Sequence, residues 1–153
     1  MEYEIFERDF IVRTLKIVEQ YEKHVMTNVP KNEQFEVTLL INCLLGLLVL
    51  PKERCYGSVP ALPLDQLKDW GLVPGFIRSW GSHPKNLKPE HYGTLLEVVQ
   101  RLRNGVAHTR VRPLGNGSEI TELEFTDLNG FHAVVPVDNL KTFVTRLAQS
   151  VKP

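Results

Sequence analysis

Cysteine and the common motifs for binding metals or nucleotides are what this chain of 153 residues has least of. It has two cysteines, Cys43 and Cys55, and their spacing fits neither a CxxC pair nor a zinc-binding set. It contains no GxGxxG or GxxxxGKS/T phosphate loop and no HExxH or DxDxDG metal motif. The sequence therefore predicts neither a metal site nor a cofactor, and it favours a reducing compartment in which Cys43 is a small core residue.

Long apolar runs and a leader-like N-terminus are missing too. The chain opens with the acidic segment MEYEIFERDF, which lacks the basic-then-apolar pattern of a secretory signal. Its most apolar run, Val37 to Leu50, is interrupted by Thr38, Asn42 and Gly46 and is too short to span a bilayer. We therefore expect a cytoplasmic protein with no membrane partner.

The chain has no excess charge of either sign, with 18 Lys and Arg against 18 Asp and Glu. This balance argues against a global basic field that could hold a long duplex. The distribution is uneven, because the segment from Val98 to Ser118 has no acidic residue and carries Arg101, Arg103, Arg110 and Arg112. These arginines could hold one or two phosphates, or they could simply flank a helix end and a hairpin.

Hydrophobic periodicity predicts a single, mainly α domain over residues 1–153. Apolar residues recur every three to four positions over about residues 3–27 and 32–50, again from about Glu90, and in a last helix that Asp138 would cap. Residues 51–89 hold most of the prolines and both tryptophans, so we expect an irregular insert there, with room for a short helix near residues 64–70.

Alternating residues around 122–126 and 131–135 predict a β-hairpin, and Asn129-Gly130 between them predicts a type I′ turn. This hairpin comes directly before the last helix. The predicted fold is thus a four-helix bundle with a proline-rich insert and a small C-terminal β-hairpin.

One pair of side chains suits RNA cleavage without a metal. Arg103 and His108 are separated by four residues at the end of an amphipathic helix, and the polar Asn104 directly follows the arginine. Arginine stays cationic and can hold a phosphate through its forked donors. Histidine takes or gives a proton near neutral pH.

Spacing alone is weak support for a site. Arg78 and His83 have the same separation but lie in the irregular segment, without a helix to fix their geometry. Residues five apart on a helix also point about 140° apart, so Arg103 and His108 would not share a face. Either Asn104-Gly105 breaks the helix, or the motif converges with that of a second subunit.

With these residues the chain resembles the HEPN superfamily of helical-bundle proteins, whose signature is an arginine, a following polar residue and a histidine four to six residues after the arginine. The match here is Arg103, Asn104 and His108, and the apolar second helix, TLLINCLLGLLVLPKE, is similar to the plasmid-borne branch of that superfamily. The resemblance implies a homodimer in which two Arg/His motifs face one cleft and cleave RNA without a metal, commonly as a toxin or in defence against phage.

The resemblance also implies roles for the residues. His108 would accept the proton of the attacking 2′-hydroxyl, Arg103 would neutralise the phosphoryl oxygens, and Asn104 would orient the histidine or the phosphate. Arg101, Arg110 and Arg112 would position the RNA. An antitoxin protein would be a further partner.

Two other functions stay open. HEPN-like chains include members without activity, so the chain could be a catalytically inactive dimeric module that binds RNA or protein. It could also be a toxin–antitoxin interaction protein with no site of its own. A histidine at a helix end is more often a capping or surface residue, which is the simpler interpretation of His108.

Overall fold

The structure, a computed structural model, describes residues 6–49, 59–117 and 119–150. Four α-helices form in these ranges, namely α1 (Phe6–Gln20), α2 (Glu36–Val49), α3 (Leu95–Ala107) and α4 (Val137–Ser150). One antiparallel sheet contains β1 (Ile77–Ser79), β2 (Val111–Gly115), β3 (Ile120–Thr126) and β4 (His132–Pro136). None of the helices in the described part of the chain combines the length and hydrophobicity needed to cross a membrane.

The helices predicted from periodicity are confirmed, although their ends differ. α1 continues directly into a wider π-helical turn (Tyr21–Val25) and a last α-helical turn (Met26–Asn28), and together they make the long first helix. Its inward positions include Ile11 and Val18, which are buried. The predicted first residues of this helix, 3–5, lie outside the described residues. So does Leu50, the predicted last residue of the second helix.

The starts of α3 and α4 are shifted from the predicted positions. A 3₁₀ turn (Pro89–His91) precedes α3, which therefore begins at Leu95 and not near Glu90. α4 begins at Val137, so Asp138 lies inside the first turn and does not act as the cap. Its negative charge there interacts favourably with the positive end of the helix dipole.

α2 is the central helix, and it contacts α1, α3 and α4. This explains why it is apolar on nearly all sides. Gly46 faces α1, where an added Cβ would lie 2.5 Å from two carbons of the Phe10 ring. Of the predicted stripe of small residues, Gly46 is buried whereas Thr38 and Asn42 are exposed. The buried side chains of α2 are Leu40, Cys43, Leu44, Leu47 and Leu48.

The sheet corrects the predicted fold class, because the protein is a mixed α/β structure and not a mainly α bundle with a small hairpin. The strand order is β1-β4-β3-β2. The predicted hairpin is present as β3 and β4, with Leu123 opposite Val135 and Phe125 opposite Ala133. All four side chains are buried on the face that α3 and α4 cover.

The two strands that the prediction lacks have no periodicity of their own. β1 is three residues long and pairs with β4 through Ile77 opposite Ala133. β2 contains Pro113, which ordinarily argues against a strand. β2 lies at the edge of the sheet, however, where a missing backbone N–H is tolerated. Both strands pair with the open edges of the hairpin, which short-range sequence patterns do not reveal.

The turn between β3 and β4 also differs from the prediction. A type I′ turn needs positive φ at both Asn129 and Gly130, and of these two only Gly130 has it, at 88°. Residues 127–131 connect the strands instead. The Asp127 carboxylate oxygen Oδ1 accepts the backbone N–H groups of Asn129 at 2.8 Å and Phe131 at 3.1 Å. A side chain therefore holds this turn together.

The described part of the predicted 51–89 insert, residues 59–89, packs against the helices. Two 3₁₀ turns (Leu64–Gln66 and Lys68–Trp70) take the place of the single short helix. Trp70 is buried against Phe143 of α4, with ring centroids 6.4 Å apart. The first residues of the insert, 51–58, lie outside the described residues.

The Cys43 thiol should react slowly in the folded protein. It is 6% exposed, and burial raises its pKa to about 11, so little reactive thiolate forms at pH 8. In a Cys55→Ser background, we expect Cys43 to react with a maleimide about 100-fold more slowly in buffer than in 8 M urea, as followed by mass spectrometry. Equal rates in the two solvents would contradict a core position.

Candidate functional site

α3 carries Arg103 and Asn104, and His108 follows directly at its C-terminal end. Two faces of this helix are buried. Its apolar stripe, which includes Val99 and Leu102, packs against α2. Glu97 and Arg101 lie roughly on the opposite side of the helix, yet the exposed fraction of each is 0%. The insert and the β3–β4 turn cover this charged face.

Arg101 is enclosed by groups from three parts of the chain. Its Nη1 donates to Asp127 Oδ2 at 2.8 Å, and its Nη2 donates to the backbone carbonyl oxygens of Trp80 and Ser82, both at 2.7 Å. Nε and Nη2 also donate to Glu97 Oε2, at 3.3 and 3.2 Å. A buried guanidinium is stable only when its donors and its charge are both compensated, and here both are.

Glu97 also binds His83 from the insert. Its Oε2 accepts the N–H of His83 Nδ1 at 2.7 Å, and its Oε1 accepts the backbone N–H of Gly93 at 2.9 Å. The contact requires a proton on His83 Nδ1, because a carboxylate oxygen accepts. The His83 ring stacks on Tyr92, with centroids 3.7 Å and planes 7° apart. We name the set Glu97, Arg101 and Asp127 the buried charge network, and the exposed His83 binds to it from the insert.

These contacts correct the prediction that Arg101 helps to bind RNA. Its side chain has no exposure and donates to groups of its own chain, so its role is structural. The i,i+4 spacing of Glu97 and Arg101 was the available signal, because such a pair shares one helix face. No comparable signal links Asp127 or His83 to the pair, because tertiary structure brings them in from the turn and the insert.

His108 lies at the C-terminal end of α3, beside an open cleft of about 230 Å³. Its backbone N–H donates to the Asn104 carbonyl oxygen at 3.1 Å, and its side chain is exposed. Asn104 and Arg110 line the same cleft, together with Asp127 and Asn129 of the β3–β4 turn. Within the described ranges, the side chains of His108 and Arg110 make no hydrogen bond or ion pair.

Arg103 lines a different cleft, of about 190 Å³, together with Leu96 and Gln100 of α3. It is half-buried and has no ion pair with any residue that the structure describes. The two clefts share no lining residue, in keeping with the angle of about 140° between positions five apart on a helix. One copy of the chain therefore brings Asn104, His108 and Arg110 together, but not Arg103.

α3 is continuous through Asn104-Gly105, so the predicted alternative of a helix break at that dipeptide is wrong. Gly105 lies under β3, where an added Cβ would be 3.2 Å from the Thr126 carbonyl oxygen. The helix ends at Ala107, and Thr109 then adopts a positive φ of 55°. Convergence with a second subunit stays a prediction.

The other two predicted RNA-binding arginines differ in their pairing. Arg112 on β2 is exposed but forms an ion pair with Glu124 at 2.9 Å. The hydrogen bond from His132 and the positive charge of Arg112 hold the pKa of Glu124 below its ordinary value. The charge of Arg112 is thus partly neutralised, whereas Arg110 keeps its charge free of any described ion pair.

A family model described as HEPN pEK499 p136 matches residues 1–153 of the chain. The match covers the full length of the sequence and so does not depend on the Arg103–His108 motif alone. Searches of curated proteins and of solved structures give no match.

Breaking the buried charge network should cost much more stability than breaking a surface pair. Arg101→Met leaves Glu97 and Asp127 buried without their counter-ion, so we expect the free energy of unfolding to fall by about 3–5 kcal/mol. Arg112→Met removes an exposed pair and should change the free energy of unfolding far less. Urea unfolding followed by circular dichroism compares the two variants, and equal losses would contradict the structural role of Arg101.

Proposed function

The chain belongs to the HEPN pEK499 p136 family, and from this premise we propose that it is a homodimeric endoribonuclease that cleaves RNA without a metal. The observation that carries the proposal is the pairing state of the basic groups around the end of α3. Arg103, His108 and Arg110 have no ion pair among the described residues, whereas Arg101 and Arg112 are paired. A phosphate can bind the first three without displacing a carboxylate of the protein.

The proposed reaction is a transesterification within the RNA strand. The ribose 2′-oxygen attacks the adjacent phosphorus while one His108 accepts the 2′-hydroxyl proton. The bond from phosphorus to the 5′-oxygen breaks, and His108 of the partner subunit protonates that leaving oxygen. Arg103 neutralises the developing charge on the phosphoryl oxygens, and Asn104 donates a hydrogen bond to the phosphate. The products are a 2′,3′-cyclic phosphate and a free 5′-hydroxyl.

A second copy of the chain is part of the proposal because one copy separates the two charged members of its motif. Arg103 and His108 line different clefts on different sides of α3. Packing two copies around the ends of their α3 helices would bring Arg103 of one copy towards His108 of the other. Arg110 would then hold a neighbouring phosphate of the same strand, and Arg112 could join only by sharing its contact with Glu124.

We further propose that the protein acts in the cytoplasm as a toxin or as an effector of defence against phage. An enzyme that cuts RNA there must be restrained, and an antitoxin protein is the partner that we propose for this task. These roles rest on the superfamily resemblance and on the family match.

One observation favours a catalytically inactive RNA- or protein-binding dimer as the second candidate. His83 is oriented by Glu97 and by Tyr92, but no described side chain orients His108. A general base is more effective when its ring is fixed. In the proposed enzyme, the RNA and the second subunit supply that orientation.

His108→Ala should slow RNA cleavage strongly. In excess chelator, we expect the wild-type protein to leave 2′,3′-cyclic phosphate ends and the variant to cut about 10²–10⁴-fold more slowly. A deoxyribo-oligonucleotide should stay intact because it lacks the nucleophile. His24→Ala, which alters an exposed histidine on the π-helical turn after α1, is the matched control. RNA binding without cutting by the wild type would favour the inactive module, and loss of wild-type cutting in chelator would exclude the metal-free mechanism.

A heterodimer of wild-type and His108→Ala chains tests whether the two subunits share one site. If one His108 is the base and the other the acid, the heterodimer should have well below half of the wild-type rate, because the acid and the base are both needed at one phosphate. Differently tagged chains allow its isolation, and sedimentation gives its mass. Retention of half the rate would mean two independent sites, and an active monomer would exclude the shared site.

A further inference from the structure

The cleft that contains Arg103 has the chemistry of a site for one planar ring. It lies between α3 and the segment of residues 86–91 that leads into this helix. Leu87 and Leu96 form apolar walls, and Val99, which is 2% exposed, is the most deeply buried lining residue. A volume of about 190 Å³ is below the roughly 300–1,000 Å³ of sites for drug-sized ligands. It suits a ligand of one or two fused rings.

Two side-chain amides line the same cleft and are held next to each other. Gln100 Nε2 donates to Asn86 Oδ1 at 2.9 Å. In this arrangement the Nδ2 group of Asn86 keeps both of its donors and Gln100 Oε1 keeps its acceptor sites, because no described group engages them. One donor and one acceptor side by side match the edge of a nucleobase, which presents the complementary pair.

Arg103 gives this cleft a charge as well as a shape. A ligand that placed only an apolar ring in the cleft would leave a half-buried guanidinium beside it without a counter-ion. A nucleotide fits both the shape of the cleft and its positive charge, because its base is planar and forms hydrogen bonds and its phosphate is an anion. An unmodified peptide side chain offers an aromatic ring or an anion at neutral pH, but not both.

We infer that the Arg103 cleft binds one unpaired RNA base, which the amides of Asn86 and Gln100 read while Arg103 holds the phosphate of the same nucleotide. Unpaired bases are the parts of RNA that proteins read by their edges. The inference deepens the proposed nuclease, for which it supplies sequence preference at the cut. Base binding itself does not need a 2′-hydroxyl, so it can be tested apart from cleavage.

Binding is tested with the wild-type protein and the four 3′-nucleoside monophosphates, with ribose 5-phosphate as the base-free probe. We expect at least one nucleotide to bind about 10-fold more tightly than ribose 5-phosphate. In ¹⁵N-edited NMR spectra, the side-chain amide signals of Asn86 and Gln100 should move with it. Equal affinity for all five probes, or shifts that spare both amides, would overturn the inference.

Substitutions then test the cleft against the rest of the surface. Gln100→Glu removes the Nε2 donor that holds Asn86 Oδ1, so the Asn86 amide should turn its donors to the new carboxylate and offer the base an acceptor instead. This exchange should change the rank order of the four nucleotides, whereas the matched control Gln149→Glu on the exposed face of α4 should not. Leu96→Trp fills the cleft and should remove the preference for nucleotides over ribose 5-phosphate. An unchanged rank order in Gln100→Glu would also overturn the inference.

Cleavage separates this inference from the proposed function. On an RNA of mixed sequence, Gln100→Glu should change which base flanks the cut, and His108→Ala should remove cutting while nucleotides still bind. If cutting depends on His108 but not on Gln100, the result supports the nuclease and excludes the base site. If the wild type binds bases but does not cut, the result supports the base site and excludes the nuclease.

Discussion

The guanidinium of Arg101 is the contact on which the arrangement of this protein depends. It joins Glu97 on its own helix to Asp127 at the β3–β4 turn and to the backbone of Trp80 and Ser82 in the insert. A charge buried to this extent is tolerated only if every partner is in place, because any missing partner leaves an uncompensated group in a medium of low polarity. The network therefore couples α3, the sheet and the insert. None of the three can move from its position without exposing a charge to an apolar interior.

Both candidate clefts are shaped by segments that this network holds. The wall of the Arg103 cleft, residues 86–91, is fixed at both ends to one carboxylate, because His83 before it and Gly93 after it both donate to Glu97. The cleft of His108 is lined by Asp127, whose Oδ2 binds Arg101 and whose Oδ1 holds the turn. The buried charges thus act on function through geometry. They position the surfaces on which the unpaired cations lie.

The sequence predicted what depends on local periodicity, and it did not predict what depends on tertiary pairing. The helices and the central hairpin follow from spacings within single segments, and the superfamily resemblance, which began from the motif, is confirmed by the full-length family match. The sequence did not predict β1 and β2, because β1 is three residues long and β2 contains Pro113. Arg101 was misassigned for a related reason. Its polar helix face is typical of solvent exposure, and only the folded insert and the β3–β4 turn bury that face.

The distribution of acidic partners explains why the site is divided. Glu97 and Asp127 neutralise Arg101, and Glu124 neutralises Arg112 and binds His132. A polyanion must compete with those carboxylates for the paired cations, but it meets no such competitor at Arg103 and Arg110. Because α3 stays continuous to Ala107, these two unpaired cations flank the helix on different sides, with His108 beside Arg110. A single phosphate can contact both sides only where a second surface closes over the end of α3. A two-fold axis at that end would supply an identical surface, which has the same unpaired cations.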